Sequence, residues 1–281
     1  MKASDSCKIQ VKSARVKRKM LHQDEIIIEA DAIQLANKGA ALFKQCSKDS
    51  IERNGRFSVA VSGGSTPRAM HRLLGQEPYL SEINWQRTDI FWVDERLVPF
   101  DDPASNFGAA KTDWLDKISI PANQVHPMPG QRQPETGAAE YQSELEKYFH
   151  DCQNNLPIFD LIFLGIGTDG HTASLFPGDS TAQTTDKWVL GVKGGNPDVY
   201  RLTLTLAVLN HARSICFMIS ENSKAPIMKT VFLDSEAQLP AQLVRPLKGK
   251  LLWLLDEAAA SLLPEKLVRT ATSGGHNEIK R

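Results

Sequence analysis

The residues best equipped for chemistry stand in three glycine-rich or charged stretches, each directly after a short apolar run. In Gly165-Ile166-Gly167-Thr168-Asp169-Gly170-His171, an imidazole lies two residues from a carboxylate, on a backbone that glycine lets come close to a ligand. Histidine can take a proton from water near neutral pH and return it to a leaving oxygen, so His171 reads as a general acid and base with Asp169 beside it. A structural histidine is the competing reading. The stretch Ser62-Gly63-Gly64-Ser65-Thr66-Pro67 offers backbone amides, hydroxyls and a helix start with proline in its first turn. Such a start carries partial positive charge and suits phosphate oxygens; the alternative is an ordinary capped glycine turn. No GKS or GKT follows, so this is not a Walker loop.

The third stretch, Asp94-Glu95-Arg96, ends another apolar run and is followed by Ser105-Asn106, a helix cap. Asp94 could hold a polar substrate, and the Arg96 guanidinium could bind phosphate or stabilise a developing oxyanion; a surface salt-bridge cluster is the alternative. Arg201 and Lys224 each read alone as solvated surface charges, and gain weight only as joint cationic partners of a phosphate. Residues 165–170 also match GxGxxG, the fingerprint of dinucleotide sites. However, Pro177-Gly178 closes the segment where a Rossmann fingerprint needs a long helix, and the match comes late in the chain. No nicotinamide cofactor is expected. Nothing like HExxH or a paired CxxC occurs, so no metal is expected either.

Elements able to position these loops follow from periodicity. An amphipathic helix is predicted from Asp24, its cap, to about Cys46. Strand-length apolar runs follow at Phe57 to Val61, Asp89 to Val93, Asp160 to Gly165, Trp188 to Val192, Ser214 to Ile219 and Lys250 to Leu255. Helical patterns lie between several of them, at Pro67 to Leu74, Asn106 to Leu115, Thr136 to Phe149 and Ser223 to Phe232. This alternation predicts an α/β protein with a mostly parallel sheet covered on both faces, and ligands then bind where loops leave the carboxyl ends of strands. Val199 to Leu206 differs: leucines alternate with Arg201, Thr203 and Thr205, which predicts a half-buried strand.

At 281 residues the chain can bury a substantial core, and its 33 basic and 33 acidic residues cancel. That balance argues against nucleic acid or an anionic membrane as partner and for a small molecule. The longest apolar stretches are too short to cross a bilayer. Cys7, Cys46, Cys152 and Cys216 are widely spaced and read as free thiols in a reducing cytoplasm. Residues 1–20 form a basic leader without a secretory pattern, with Met20 where the structured pattern begins; residues 21–268 read as one domain and 269–281 as a frayed tail.

Taken together in this order, SGGSTP at Ser62 to Pro67, VDERLVP at Val93 to Pro99, Ser105-Asn106 and GIGTDGHTASLFPG at Gly165 to Gly178 resemble the 6-phosphogluconolactonase family, as do RLTLTLAVLN from Arg201 and the lysine Lys224. The resemblance runs from about Leu21 to Val268. It implies a Rossmann-like three-layer fold and hydrolysis of 6-phospho-D-glucono-1,5-lactone in the oxidative pentose phosphate pathway, without a cofactor. It also implies that His171 is the general base, that Asp169 and Arg96 help order the site, and that the Gly63 to Thr66 loop, Arg201 and Lys224 hold the phosphate. One departure stands out: Glu221 occupies a position, three residues before the lysine, where the family commonly has glycine. Two other readings stay open, a sugar-phosphate isomerase or deaminase of the same fold and a non-catalytic sugar-phosphate sensor. The leader is too short to be the DNA-binding module a regulator would carry.

Overall fold

The computed structural model describes residues 24–150, 156–179 and 186–267. The basic leader with Met20, the tail from 269, and both Cys7 and Cys152 lie outside the described residues. Strand β1 (Asp24–Glu29) leads into helix α1 (Ala32–Asn54), then β2 (Phe57–Val61), α2 (Ser65–Leu74), α3 (Tyr79–Glu82) and β3 (Thr88–Trp92). A short β4 (Asp94–Arg96) precedes α4 (Asn106–Asp113), β5 (Val125–His126), α5 (Pro134–Tyr148) and β6 (Leu161–Leu164). Next come β7 (Val189–Gly194), β8 (Val199–Leu204), α6 (Leu206–Leu209), β9 (Ser214–Ile219), α7 (Ala225–Leu233), α8 (Pro240–Leu243), β10 (Lys250–Asp256) and α9 (Glu257–Ala260).

Seven strands form one sheet in the order β1-β10-β9-β6-β2-β3-β5, and every pairing in it is parallel. Parallel strands need helical crossovers, and helices on the faces bury the strands from both sides. Accordingly every residue of β2, β3 and β6 is buried. The sheet with its flanking helices is the α/β, Rossmann-like arrangement expected. A second sheet, in the order β4-β8-β7, is antiparallel and extends from the main one after β3. The runs expected from Trp188 and from Val199 belong to it, as β7 and β8, and not to the parallel sheet; β8 stops at Leu204, since Leu206 opens α6.

Two local readings are corrected. The chain from Asp24 to Glu29 is a strand, not the start of a helix: consecutive Ile26, Ile27 and Ile28 favour extended backbone and pair with β10. The true helix cap is Asp31, whose carboxylate accepts from the Gln34 N–H at 2.8 Å, and α1 then runs on to Gly55 in the left-handed region. Strand β8 is not half-buried either. From Arg201 to Leu204 both faces are covered, because its polar face lies under the loop after β6, where Thr203 Oγ1 accepts from the Ser174 N–H. Among the described residues no helix is long and apolar enough to cross a membrane. Cys46 and Cys216 are free thiols.

Candidate active site

Strands β9, β6, β2 and β3 are neighbours in the sheet, so the loops at their carboxyl ends converge. They enclose a cavity of about 220 Å³ lined by the Ser62 to Pro67 loop, Arg96, His171, Arg201 and Lys224. Every substrate-binding residue singled out from the sequence, Asp94 included, lines it. A larger cavity of about 770 Å³ opens beside the opposite, amino-terminal ends of β6, β9 and β10, far from these loops. The smaller one is the candidate site, because converging polar groups define a site better than volume does.

The loop after β2 turns through Gly64 into α2, so the first amides of that helix face the cavity. The Ser62 hydroxyl is buried without a hydrogen-bond partner among the described residues, and Thr66 shares a hydrogen bond at 2.9 Å with Ser220 of the loop after β9. On the other side, His171 Nδ1 lies 2.6 Å from Asp169 Oδ1, and the same carboxylate accepts from the His171 N–H at 3.1 Å. The contact leaves Nε2 as the nitrogen available to a ligand. Burial opposes ionisation of Asp169, but the His171 N–H and imidazole outweigh it and hold the carboxyl below its ordinary value. Any side chain on Gly167 would collide with the His171 ring and the Asp169 carboxylate, so the glycine there makes room for the pair.

Arg96 and Arg201 are directly opposed in the β4–β8 pairing. Arg201 is 6% exposed, so it is not the solvated charge its alternating strand suggested. Its Nε donates to the Gly194 carbonyl at 3.0 Å, and its guanidinium sits 5.9 Å from the Phe176 ring centre. Burial, then the adjacent Arg96 charge, push its pKa down. Among the described residues neither arginine nor Lys224 makes an ion pair. Like charges opposed in this way repel, so the cluster is set to receive an anion. The acidic members of the third stretch are not a surface cluster. Asp94 accepts from the Ser174 hydroxyl at 2.6 Å, and Glu95 is fully buried at the start of α4.

Sequence reasoning gave no role to Ser174, Ser220 and Phe176, and saw Asn106 only as part of a helix cap and of the family resemblance. Their signal was position alone: Ser174 and Phe176 lie within the Gly165 to Gly178 motif, Ser220 directly follows the strand run Ser214 to Ile219, and Asn106 follows Ser105. No group of three or more His, Cys, Asp or Glu able to hold a metal ion occurs among the described residues.

Fold and site thus define an α/β protein that gathers cations, helix-start amides and a carboxylate-backed histidine at the carboxyl edge of a parallel sheet. A protein-family model described as glucosamine-6-phosphate isomerases/6-phosphogluconolactonase matches residues 30–253. The chain belongs to that family. A 6-phosphogluconolactonase of a Nostoc species is 38% identical over 217 residues, covering 76% of this chain and 87% of the relative. The rat protein of that name is 39% identical over 227 residues, 80% of this chain and 88% of its own length. Among solved structures, 6-phosphogluconolactonase from Trypanosoma cruzi superposes with a TM-score of 0.76 at 26% identity, over 86% of this chain and 99% of that one.

Proposed function

We propose that the chain hydrolyses 6-phospho-D-glucono-1,5-lactone to 6-phospho-D-gluconate, the ring-opening step of the oxidative pentose phosphate pathway. The observation that carries the reading is that His171, held by Asp169 from behind, opens on the same small cavity as the Ser62 to Thr66 loop, Arg201 and Lys224. The phosphate binds the loop amides and the Arg201 and Lys224 cations, which fixes the lactone carbonyl relative to His171. Nε2 of His171 takes a proton from water as its oxygen attacks the carbonyl carbon. Negative charge then builds on the carbonyl oxygen, where the Arg96 guanidinium stabilises it. On collapse the bond from carbonyl carbon to ring oxygen breaks, and the imidazolium returns its proton to that oxygen. Asp169 keeps the ring oriented with Nδ1 protonated and supports its charged form. No covalent intermediate is needed.

The test is a lactonase assay coupled to oxidation of the product, with spontaneous ring opening subtracted. His171→Ala and His171→Asn should lower turnover by about 100-fold to 10,000-fold while still binding phosphogluconate. Near-normal turnover in either variant would remove His171 from the reaction. A wild-type chain that binds sugar phosphates without hydrolysing the lactone would instead be a sensor.

A further inference from the structure

We infer that Asn106 is a positioning residue for the reaction: its amide sets the Arg96 guanidinium at a fixed place beside the phosphate loop. The inference rests on the proposed role of Arg96. Asn106 is the first residue of α4 and is buried. Its Oδ1 accepts from Arg96 Nη1 at 3.0 Å, while its Nδ2 donates to the Asp94 carbonyl at 2.8 Å and, at 3.3 Å, to the Asp94 carboxylate. The two partners fix the amide's orientation, since the flipped form would set donors against the guanidinium and an acceptor against oxygens.

The backbone beneath is equally constrained. Glu95 Oε1 accepts the N–H of Asn106 at 2.7 Å and that of Arg96 at 2.8 Å, while Oε2 accepts the Phe107 N–H at 2.8 Å and the Ser105 hydroxyl at 3.1 Å. One buried carboxylate therefore clamps the strand bearing Arg96 to the start of the helix bearing Asn106. On its other flank Asn106 meets the phosphate loop, because a side chain on Gly63 would collide with its amide. Asn106 thus touches both halves of the site and sets the spacing between phosphate and carbonyl.

Among the described residues, the Arg96 side chain has one hydrogen bond apart from that to Asn106, from Nη1 to the Ala104 carbonyl at 2.8 Å, and its Nε is buried without a partner. Without the Asn106 amide the guanidinium can swing about that single tether. Small misplacements of a charge-stabilising group are costly for turnover and cheap for binding held elsewhere.

A double-mutant cycle on the full chain tests this. Asn106→Ala should lower kcat about 10-fold to 100-fold, with KM and phosphogluconate affinity within about threefold of wild type. In the Arg96→Ala background the same substitution should cost less than about threefold more, because its effect passes through the missing guanidinium. Full additivity, or an unchanged kcat in the single variant, overturns the inference. An unchanged kcat in Arg96→Ala alone instead overturns the role given to Arg96. Should Asn106→Ala fail to fold, Asn106→Ser carries the same test: its hydroxyl still reaches towards Asp94 but stops short of Arg96.

Discussion

Arg201 is buried and opposed to Arg96 on the neighbouring strand, and among the described residues it makes no ion pair, so an anion would complete its surroundings. If that anion is the substrate phosphate, Arg201→Ala should weaken phosphogluconate by about tenfold to a hundredfold, since a charge-assisted hydrogen bond is worth roughly 1.5–3 kcal/mol. Calorimetric titration should show gluconate, which lacks the phosphate, nearly unaffected. Lys224→Ala should do less damage, because a lysine offers a point charge where arginine offers a fork. An equal loss for both ligands would place Arg201 outside the phosphate site. The histidine and the glycine loop were legible in the sequence because each follows a run of strand residues and breaks it with polar side chains. Arg201 was not, because the alternation that announces an exposed strand face also occurs when another loop covers that face. Here Ser174 and Thr203 form that cover, through a contact between residues far apart in sequence.

At the level of elements, the segment between β9 and α7 departs from what its backbone prefers. Glu221 has φ of 84° and ψ of 143°, and its N–H donates to Asp256 Oδ2 at 3.0 Å. A residue other than glycine held there costs on the order of 1–3 kcal/mol. This gives a physical reason for the glycine expected at the position. The side chain itself is exposed, and its carboxylate faces the Ser223 hydroxyl at 3.4 Å. Glu221→Gly should therefore stabilise the fold by about 1 kcal/mol, once the entropy glycine adds to the unfolded chain is set against the relieved strain, and so raise the thermal midpoint. Phosphogluconate affinity should stay the same. Calorimetric melting and titration read the two effects separately, and a tighter complex would mean that the carboxylate reaches the phosphate after all. The parallel strands were readable from their apolar runs. The boundary between β1 and α1 was not, because the isoleucines of the strand fit a helical stripe once Asp24 is taken as the cap, and pairing with β10 at the other end of the chain decides the matter.

For the molecule as a whole, one buried group predicts a loss of stability in acid. His71, on α2, is buried and stacked 5.2 Å from the Trp114 ring, and its Nε2 has no hydrogen-bond partner among the described residues. Burial lowers its pKa to about 4; Asp113 pulls the other way, and Arg68 adds to the lowering. The fold therefore prefers neutral His71, while the unfolded chain binds a proton from about pH 6.5 downward. The associated stability is complete above that pH and is lost as pH falls towards about 4, by up to about 3 kcal/mol. His71→Phe, which keeps a ring against Trp114 and cannot titrate, should flatten the denaturation midpoint between pH 6.5 and 4. Unchanged pH dependence would exclude the histidine as its source.

The strand order has one more implication. Ser62, Arg96, His171, Arg201 and Lys224 lie far apart along the chain, yet the cavity needs all of them together and closes only when β9 docks beside β6 in one sheet and β8 beside β4 in the other. Non-local pairings of this kind form late and slowly during folding. During refolding, recovery of lactonase turnover should therefore trail recovery of helical signal, and a partly assembled chain would be catalytically silent however native its first half became.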